Sequence, residues 1–208
     1  MTQILSGISS EGIMVATDSM ATTFDSNGEK HHFVVDKLFP VGSHAFIVSG
    51  GMGISVELSR RFKQHAEERR LVGIEAIIAA AGAHLSEQYR MALIEGGIQL
   101  ERHDQLERIY FVVGGYSFRS QDVPYQLAVW GSEAGQLPLQ RIGVGASVMV
   151  PRALSGEVKL SRLCNEDRPL EEIMAFAREF LQNLAASNPD VGPPFRFGTV
   201  TPSGFTKV

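Results

Sequence analysis

Residues 1–22 read MTQILSGISSEGIMVATDSMAT. Two apolar, β-favouring runs, QILSGI (3–8) and IMVATDS (13–19), flank the segment SSEG, and Gly12 suits the short loop that joins them. The chain therefore opens as an antiparallel hairpin. Thr2, directly behind Met1, is either an ordinary first residue of that hairpin or a latent amino terminus.

The pattern outward from the hairpin sets the fold class. After the polar loop DSNGEKHH, the runs FVVDKLFPV (33–41) and HAFIVSG (44–50) form a second strand pair across Gly42-Ser43, so four strands are expected first. Ile54, Leu58, Phe62 and Ala66 then recur every four residues. Ile74, Ile77, Ile78, Ala81, Leu85 and Tyr89 keep a 3.6-residue period, which predicts two amphipathic helices, the second ended by Gly96 and Gly97. IYFVVGGYSF (109–118), YQLAVWG (125–131) and QLPLQRI (136–142) return to strand character, with SEAG as the last hairpin turn. ASVMVPRAL (146–154) reads as a short helix despite Pro151, PLEEIMAFAREFLQNLAAS (169–187) as a clear one, and FRFGTVT (195–201) as a final strand. No βαβ alternation occurs, so the expected class is α+β, with antiparallel sheets and helices packed outside them.

Composition narrows the function. With 208 residues, 44% hydrophobic, the chain suffices for one compact domain spanning 1–208. A net charge of -4 with dispersed Lys and Arg argues against a nucleic-acid partner. Cys164 stands alone, which leaves no disulfide and no Cys pair for zinc, and points to a reducing compartment. His31 and His32 lie in a polar loop without a third ligand at a recognisable spacing, so neither a metal nor a cofactor is expected. The early residues carry no basic region and no unbroken apolar run, so no signal peptide or membrane span is expected and the location is cytoplasmic.

Removal of Met1 would give Thr2 both a hydroxyl nucleophile and a free α-amine, whose ordinary pKa of about 8 lets it accept the hydroxyl proton. A nearby cation would keep that amine neutral, and Lys37 in VVDKLF is the candidate, with Asp18 as its partner. An edge-strand lysine facing water remains the simpler reading of the strand context alone. The glycine-rich turn VSGGMG (48–53) offers backbone N–H groups for a developing oxyanion; it lacks the lysine of a phosphate-binding loop.

These residues together resemble the β-type subunits of the proteasome and the bacterial peptidase HslV, within the N-terminal nucleophile (Ntn) hydrolases. DSMAT matches that family's Asp-Ser-x-Ala-Thr segment, DKLF its lysine, and FVVGGY, YQLAVWGSEAGQLPL, PRAL and FGTVTPSGF later elements in order. The resemblance implies a four-layer αββα sandwich of two antiparallel sheets flanked by helices. It also implies a catalytic set of Thr2, Asp18, Lys37 and Gly51, with Gly51 donating the oxyanion N–H. Substrate would bind as an extended strand at Thr22, with Ala21 and Ser49 lining a side-chain pocket. Cleavage of peptide or unfolded-protein substrate in a homo-oligomeric ring follows, with no particular ATPase partner indicated. The alternatives are a non-catalytic subunit that keeps Met1 and a small-molecule amidase on the same fold. Two departures touch the chemistry. The family's Gly-Ser-Gly aligns with Gly143-Val144-Gly145, and its Asp and Ser before a glycine align with Asn188 and Val191 unless Asp190 shifts in, so that Ser147 or Ser187 would have to supply missing hydroxyls.

Overall fold

The structure, a computed structural model, describes residues 2–25, 27–95, 108–133 and 135–208. The turn at Gly96-Gly97 and the state of Met1 lie outside the described residues. The opening hairpin forms as expected, β1 (Ile4–Ser9) against β2 (Gly12–Thr17), in a register that pairs Ile4 with Thr17 and Ser9 with Gly12.

Among the described residues six strands, not four, precede the first helix. Residues 33–41 do not form one strand, because the chain leaves it between Val34 and Leu38. β3 (Met20–Phe24) and β4 (Lys30–Val34) make a separate two-stranded ribbon, and β5 (Leu38–Val41) pairs with β6 (Ala45–Gly51). The ribbon escaped the sequence reading because β4 is exposed throughout, so no apolar alternation marks it.

Helices α1 (Ile54–Glu68) and α2 (Ile74–Glu95) follow, then β7 (Ile109–Tyr116), β8 (Tyr125–Ser132) and β9 (Gln140–Ile142). β9 is shorter than the expected 136–142 strand. The segment read as a short helix at 146–154 is instead β10 (Ser147–Val150), and helix α3 (Leu154–Asn165) starts after Pro151. Its side chains alternate: Val148 and Val150 join one apolar cluster and Met149 another, which is the period of a strand. α4 (Leu170–Ser187), β11 (Arg196–Thr201) and β12 (Gly204–Lys207) complete the chain.

Among the described residues the fold is α+β, with three antiparallel sheets and four helices. One five-stranded sheet runs β10-β1-β2-β11-β12, the other β5-β6-β7-β8-β9. Alternation along each strand divides the core in three. Ile4, Ile13 and Val15 of the first sheet meet Phe46, Val48 and Val112 of the second. Leu5, Met14 and Ala16, on the reverse face, pack on Leu160 of α3 and Ile173, Ala177 and Leu181 of α4. Ile47, Phe111 and Val113 pack on Phe62 of α1 and Ala81, Leu85 and Tyr89 of α2. Each of the larger aliphatic side chains and phenylalanines contributes roughly 1.5–3 kcal/mol by leaving water, which is why both faces of both sheets are covered. No helix of the described residues is long and apolar enough to cross a membrane.

Candidate active site

The β1–β2 register decides what surrounds Thr2. Because Ile4 faces Thr17, one step toward the open end of the hairpin sets Gln3 against Asp18, and the two are joined by hydrogen bonds from Gln3 N to Asp18 Oδ1 (2.9 Å) and from Asp18 N to Gln3 O (3.4 Å). A further step brings Thr2 to the level of Ser19. The short turn at residues 10–11 thereby delivers a carboxylate beside the first residues of the chain.

Lys37 reaches the same place from the other sheet. It stands at the entry to β5, where its carbonyl accepts a bond from Ser49 N on β6. It is only 2% exposed, so the solvent-facing alternative fails. An ammonium has three N–H donors. Lys37 Nζ uses all of them, on Thr2 Oγ1 (2.8 Å), Asp18 Oδ2 (3.0 Å) and Met20 O (2.6 Å). Asp18 Oδ2 also accepts from Met20 N at 3.0 Å, so the carboxylate is fixed by two backbone amides and the lysine. Burial pushes the Asp18 carboxyl above its ordinary pKa and the Lys37 ammonium below its own, with their mutual attraction opposing both shifts.

Thr2 is 7% exposed. Its Oγ1 accepts from a cation, which leaves its own proton free to be taken by a base and lowers the cost of charge on the oxygen. Gly50 lies against it: a Cβ at position 50 would stand 3.1 Å from both Thr2 Cβ and Cγ2. Gly51 has φ +92, and a Cβ there would fall 1.7 Å from Arg108 O. Only glycine fits at 51. Gly51→Ala is expected to displace the β6–β7 junction and lower stability by at least 1–3 kcal/mol, read as the midpoint of denaturant unfolding. A midpoint equal to the parent's would contradict this.

Of the expected binding residues, Ser49 is fully buried and next to Gly50, and its hydroxyl has no partner among the described residues. Ser19 Oγ is in the same condition. Ala21 and Thr22 lie half-buried on β3, opposite Phe33 and His32, and Thr22 Oγ1 meets His32 Nδ1 at 3.2 Å. The bond from Lys37 to Met20 O anchors the start of that strand to the site.

The substitute hydroxyls do not arrive. β10 pairs Val150 with Ile4 and Ser147 with Gly7, and Ile8 N bonds Ala146 O, so Gly143-Val144-Gly145 and Ser147 sit at the far end of β1 from Thr2. Pro151 comes near instead, its carbonyl accepting from Gln3 Nε2 at 3.1 Å. Ser187 turns back on its own helix, to Asn183 O and Leu184 O. Residues 188–192 do approach, since Gly192 O accepts from Ser19 N at 3.3 Å, with Val191 buried and Asp190 paired with Lys30.

Other chemistry is poorly supported. Burial pushes the Cys164 thiol up to about 11, so it is no nucleophile near neutrality. Asp25, Glu29 and His31 gather at the exposed ribbon tip with ligand atoms within 4.8 Å of one another, which adds the neighbours that the sequence did not reveal for His31. Asp25 already accepts from Asn27 N, Glu29 N and His31 Nε2, the pattern of a turn held by its own side chain.

No family model matches the chain, and no curated protein does. Among solved structures, an Anbu mutant from Hyphomicrobium sp. strain MC1 matches with TM-score 0.68 and 13% identity, over 100% of this chain and 85% of that one. Anbu (ancestral beta-subunit) from Yersinia bercovieri matches with TM-score 0.68 and 14% identity, over 99% of this chain and 86% of that one. These likenesses establish a shared fold. They correct the assignment to the proteasome β-type and HslV-like family, because the structures found are of Anbu, a proteasome-like family related to HslV. Strand register and turn lengths set the spacing of Thr2, Asp18, Lys37 and Gly51, and both belong to the fold.

Proposed function

We propose that the chain, once Met1 is removed, is a threonine-type N-terminal nucleophile hydrolase that cleaves peptide or other amide bonds. The carrying observation is the hydrogen bond from buried Lys37 Nζ to Thr2 Oγ1, with Asp18 fixing the lysine from the opposite side. In this reading the free α-amine takes the Thr2 hydroxyl proton as Oγ1 attacks the carbonyl carbon. An O–C bond forms, the C–N bond breaks, and the proton passes to the departing nitrogen; water then cleaves the acyl-enzyme and regenerates Thr2. Lys37 holds the developing charge on Oγ1, and the backbone N–H at Gly51 faces the oxyanion. Ala21, Thr22 and Ser49 receive the acyl half of the substrate. Cofactor and metal have no part in this scheme.

The fold that supports it is a four-layer αββα sandwich over residues 1–208 as one domain, which the three apolar clusters favour. The likeness to Anbu favours assembly of several copies in a proteasome-like ring, acting on peptide or unfolded chains in the cytoplasm. The test compares two preparations, one beginning at Thr2 and one with Met1 attached, on a panel of fluorogenic peptide amides. Hydrolysis only by the first is expected. Equal rates from both, or none from either, would contradict the reading.

A further inference from the structure

Helices α1 and α2 meet through two imidazoles. His65 of α1 and His84 of α2 are half-buried and stack with ring centroids 4.1 Å apart at 25°. Phe62, fully buried one turn before His65, closes the inner side of the pair at 5.8 Å from the His84 ring. His84 Nε2 is buried and has no hydrogen-bond partner among the described residues. Uncharged rings tolerate this arrangement, because a neutral imidazole keeps one nitrogen without a proton to place. A proton added to His84 creates a cation beside an apolar ring with no acceptor for the new N–H, and a proton on each ring sets two like charges face to face.

The charged groups around the pair are engaged elsewhere. On α1, Arg61 lies one turn before His65 and is bound to Glu57 (3.1 Å) and Gln88 (3.3 Å). Glu68 lies on the following turn and accepts from Gln64 (2.8 Å), and Arg69 caps the helix. On α2, Glu87 is paired with Arg90 (2.6 Å). Toward the sheet the neighbours are the apolar Ala81 and Leu85. None of these carboxylates meets His84 Nε2. Burial, and after it the charge on His65, hold the His84 imidazole below its ordinary pKa of 6.5. The unfolded chain therefore takes up this proton first. The resulting stability is complete above 6.5 and is lost as pH falls from there toward the folded value.

The two helices also support the glycine turn beside Thr2. α1 begins directly after Gly51-Met52-Gly53, and Ser55 N and Val56 N donate to Met52 O (2.9 Å) and Gly53 O (3.4 Å). α2 reaches the same turn, where Tyr89 Oη donates to Met52 Sδ at 3.5 Å. From Ile54 to His65 the helix rises about 16 Å, and a helix of that length moves as a rod. We propose that the stacked His65 and His84 form an acid-operated latch between α1 and α2. At neutral pH the uncharged rings close one helix on the other; proton uptake at about pH 5–6 parts them and loosens α1 together with the turn that carries Gly51. The bearing of the latch on catalysis rests on the hydrolase reading, whereas the latch itself belongs to the fold.

Hydrogen–deuterium exchange on the whole chain, with rates corrected for the intrinsic effect of pH, compares residues 49–68 at about pH 7.5 and about pH 5.5. The parent should lose protection there about tenfold or more on acidification. His84→Phe, which keeps a stacked ring and removes the titration, should hold its protection within about twofold. His65→Phe repeats the comparison should the first variant fold poorly. NMR titration of the parent should place the His84 ring below 6.5, and His65→Phe should move it upward by removing the neighbouring charge. Undiminished protection of the parent at the acidic pH, a loss that persists in both variants, or a His84 ring that titrates at or above 6.5 overturns the latch. Neither readout needs turnover, so the latch and the hydrolase reading stand or fall separately.

Discussion

Lys37→Met is expected to abolish turnover and to destabilise the chain by about 3–5 kcal/mol, because it strands Asp18 as a buried carboxylate without its cation. Asp18→Asn should destabilise for the mirrored reason, leaving an ammonium 2% exposed with one neutral partner in place of a charged one. The double variant Asp18→Asn, Lys37→Met should recover most of the lost stability while remaining inactive. The pKa directions give the reason. Asp18 is raised, so its charged form costs stability as pH climbs through its folded value; Lys37 is lowered, so its charged form costs stability as pH falls through its folded value. Burial opposes both charged forms, and their mutual attraction offsets it only in part. A pair kept at such expense is better explained by chemistry than by folding. Denaturant midpoints of the four proteins make a double-mutant cycle. A double variant as unstable as the sum of the singles would contradict this account.

Much of that arrangement was legible in the sequence, for identifiable reasons. A tight turn fixes the register of a hairpin, so MTQILSGISSEGIMVATDS alone sets Asp18 against the start of β1. Lys37 was visible as a charge in an apolar run, yet the run itself was misjudged: it is two strands broken at Asp36-Lys37, and the break lets the lysine turn inward. The ribbon β3–β4 was missed because neither face of β4 is buried, so hydrophobic period carries no signal there. The 143–147 segment was misplaced for a different reason. Alignment by glycine pattern put Val144 beside Thr2, whereas the antiparallel pairing of β10 with β1 carries Pro151 there. The fit of Met20 O and Asp18 Oδ2 around one ammonium had no sequence signal, because it depends on how the two sheets stack.

Thr2→Ala should lower hydrolysis by about 10⁴-fold or more, the scale on which loss of a covalent nucleophile is felt. Stability should fall much less, by about 1–3 kcal/mol, since the alanine leaves one Lys37 donor unpaired and removes little volume. Thr2→Ser keeps both the hydroxyl and the amine and should retain turnover. The rate should follow a bell-shaped pH profile. Its acidic limb reports the α-amine, and activity is lost as pH falls and that amine takes up a proton. The basic limb reports Lys37, whose pKa burial holds below 10.5. A Thr2→Ala protein that turns over amides at the parent rate would place the nucleophile elsewhere.

The central claim is that a free Thr2 beside Lys37 is the nucleophile, and intact-mass spectrometry of protein from its native host, before and after a peptide vinyl sulfone, addresses it most directly. A mass short by one methionine and a single adduct, absent from Thr2→Ala, is expected. A mass that retains Met1 with no adduct, or an adduct that persists in Thr2→Ala, would contradict it.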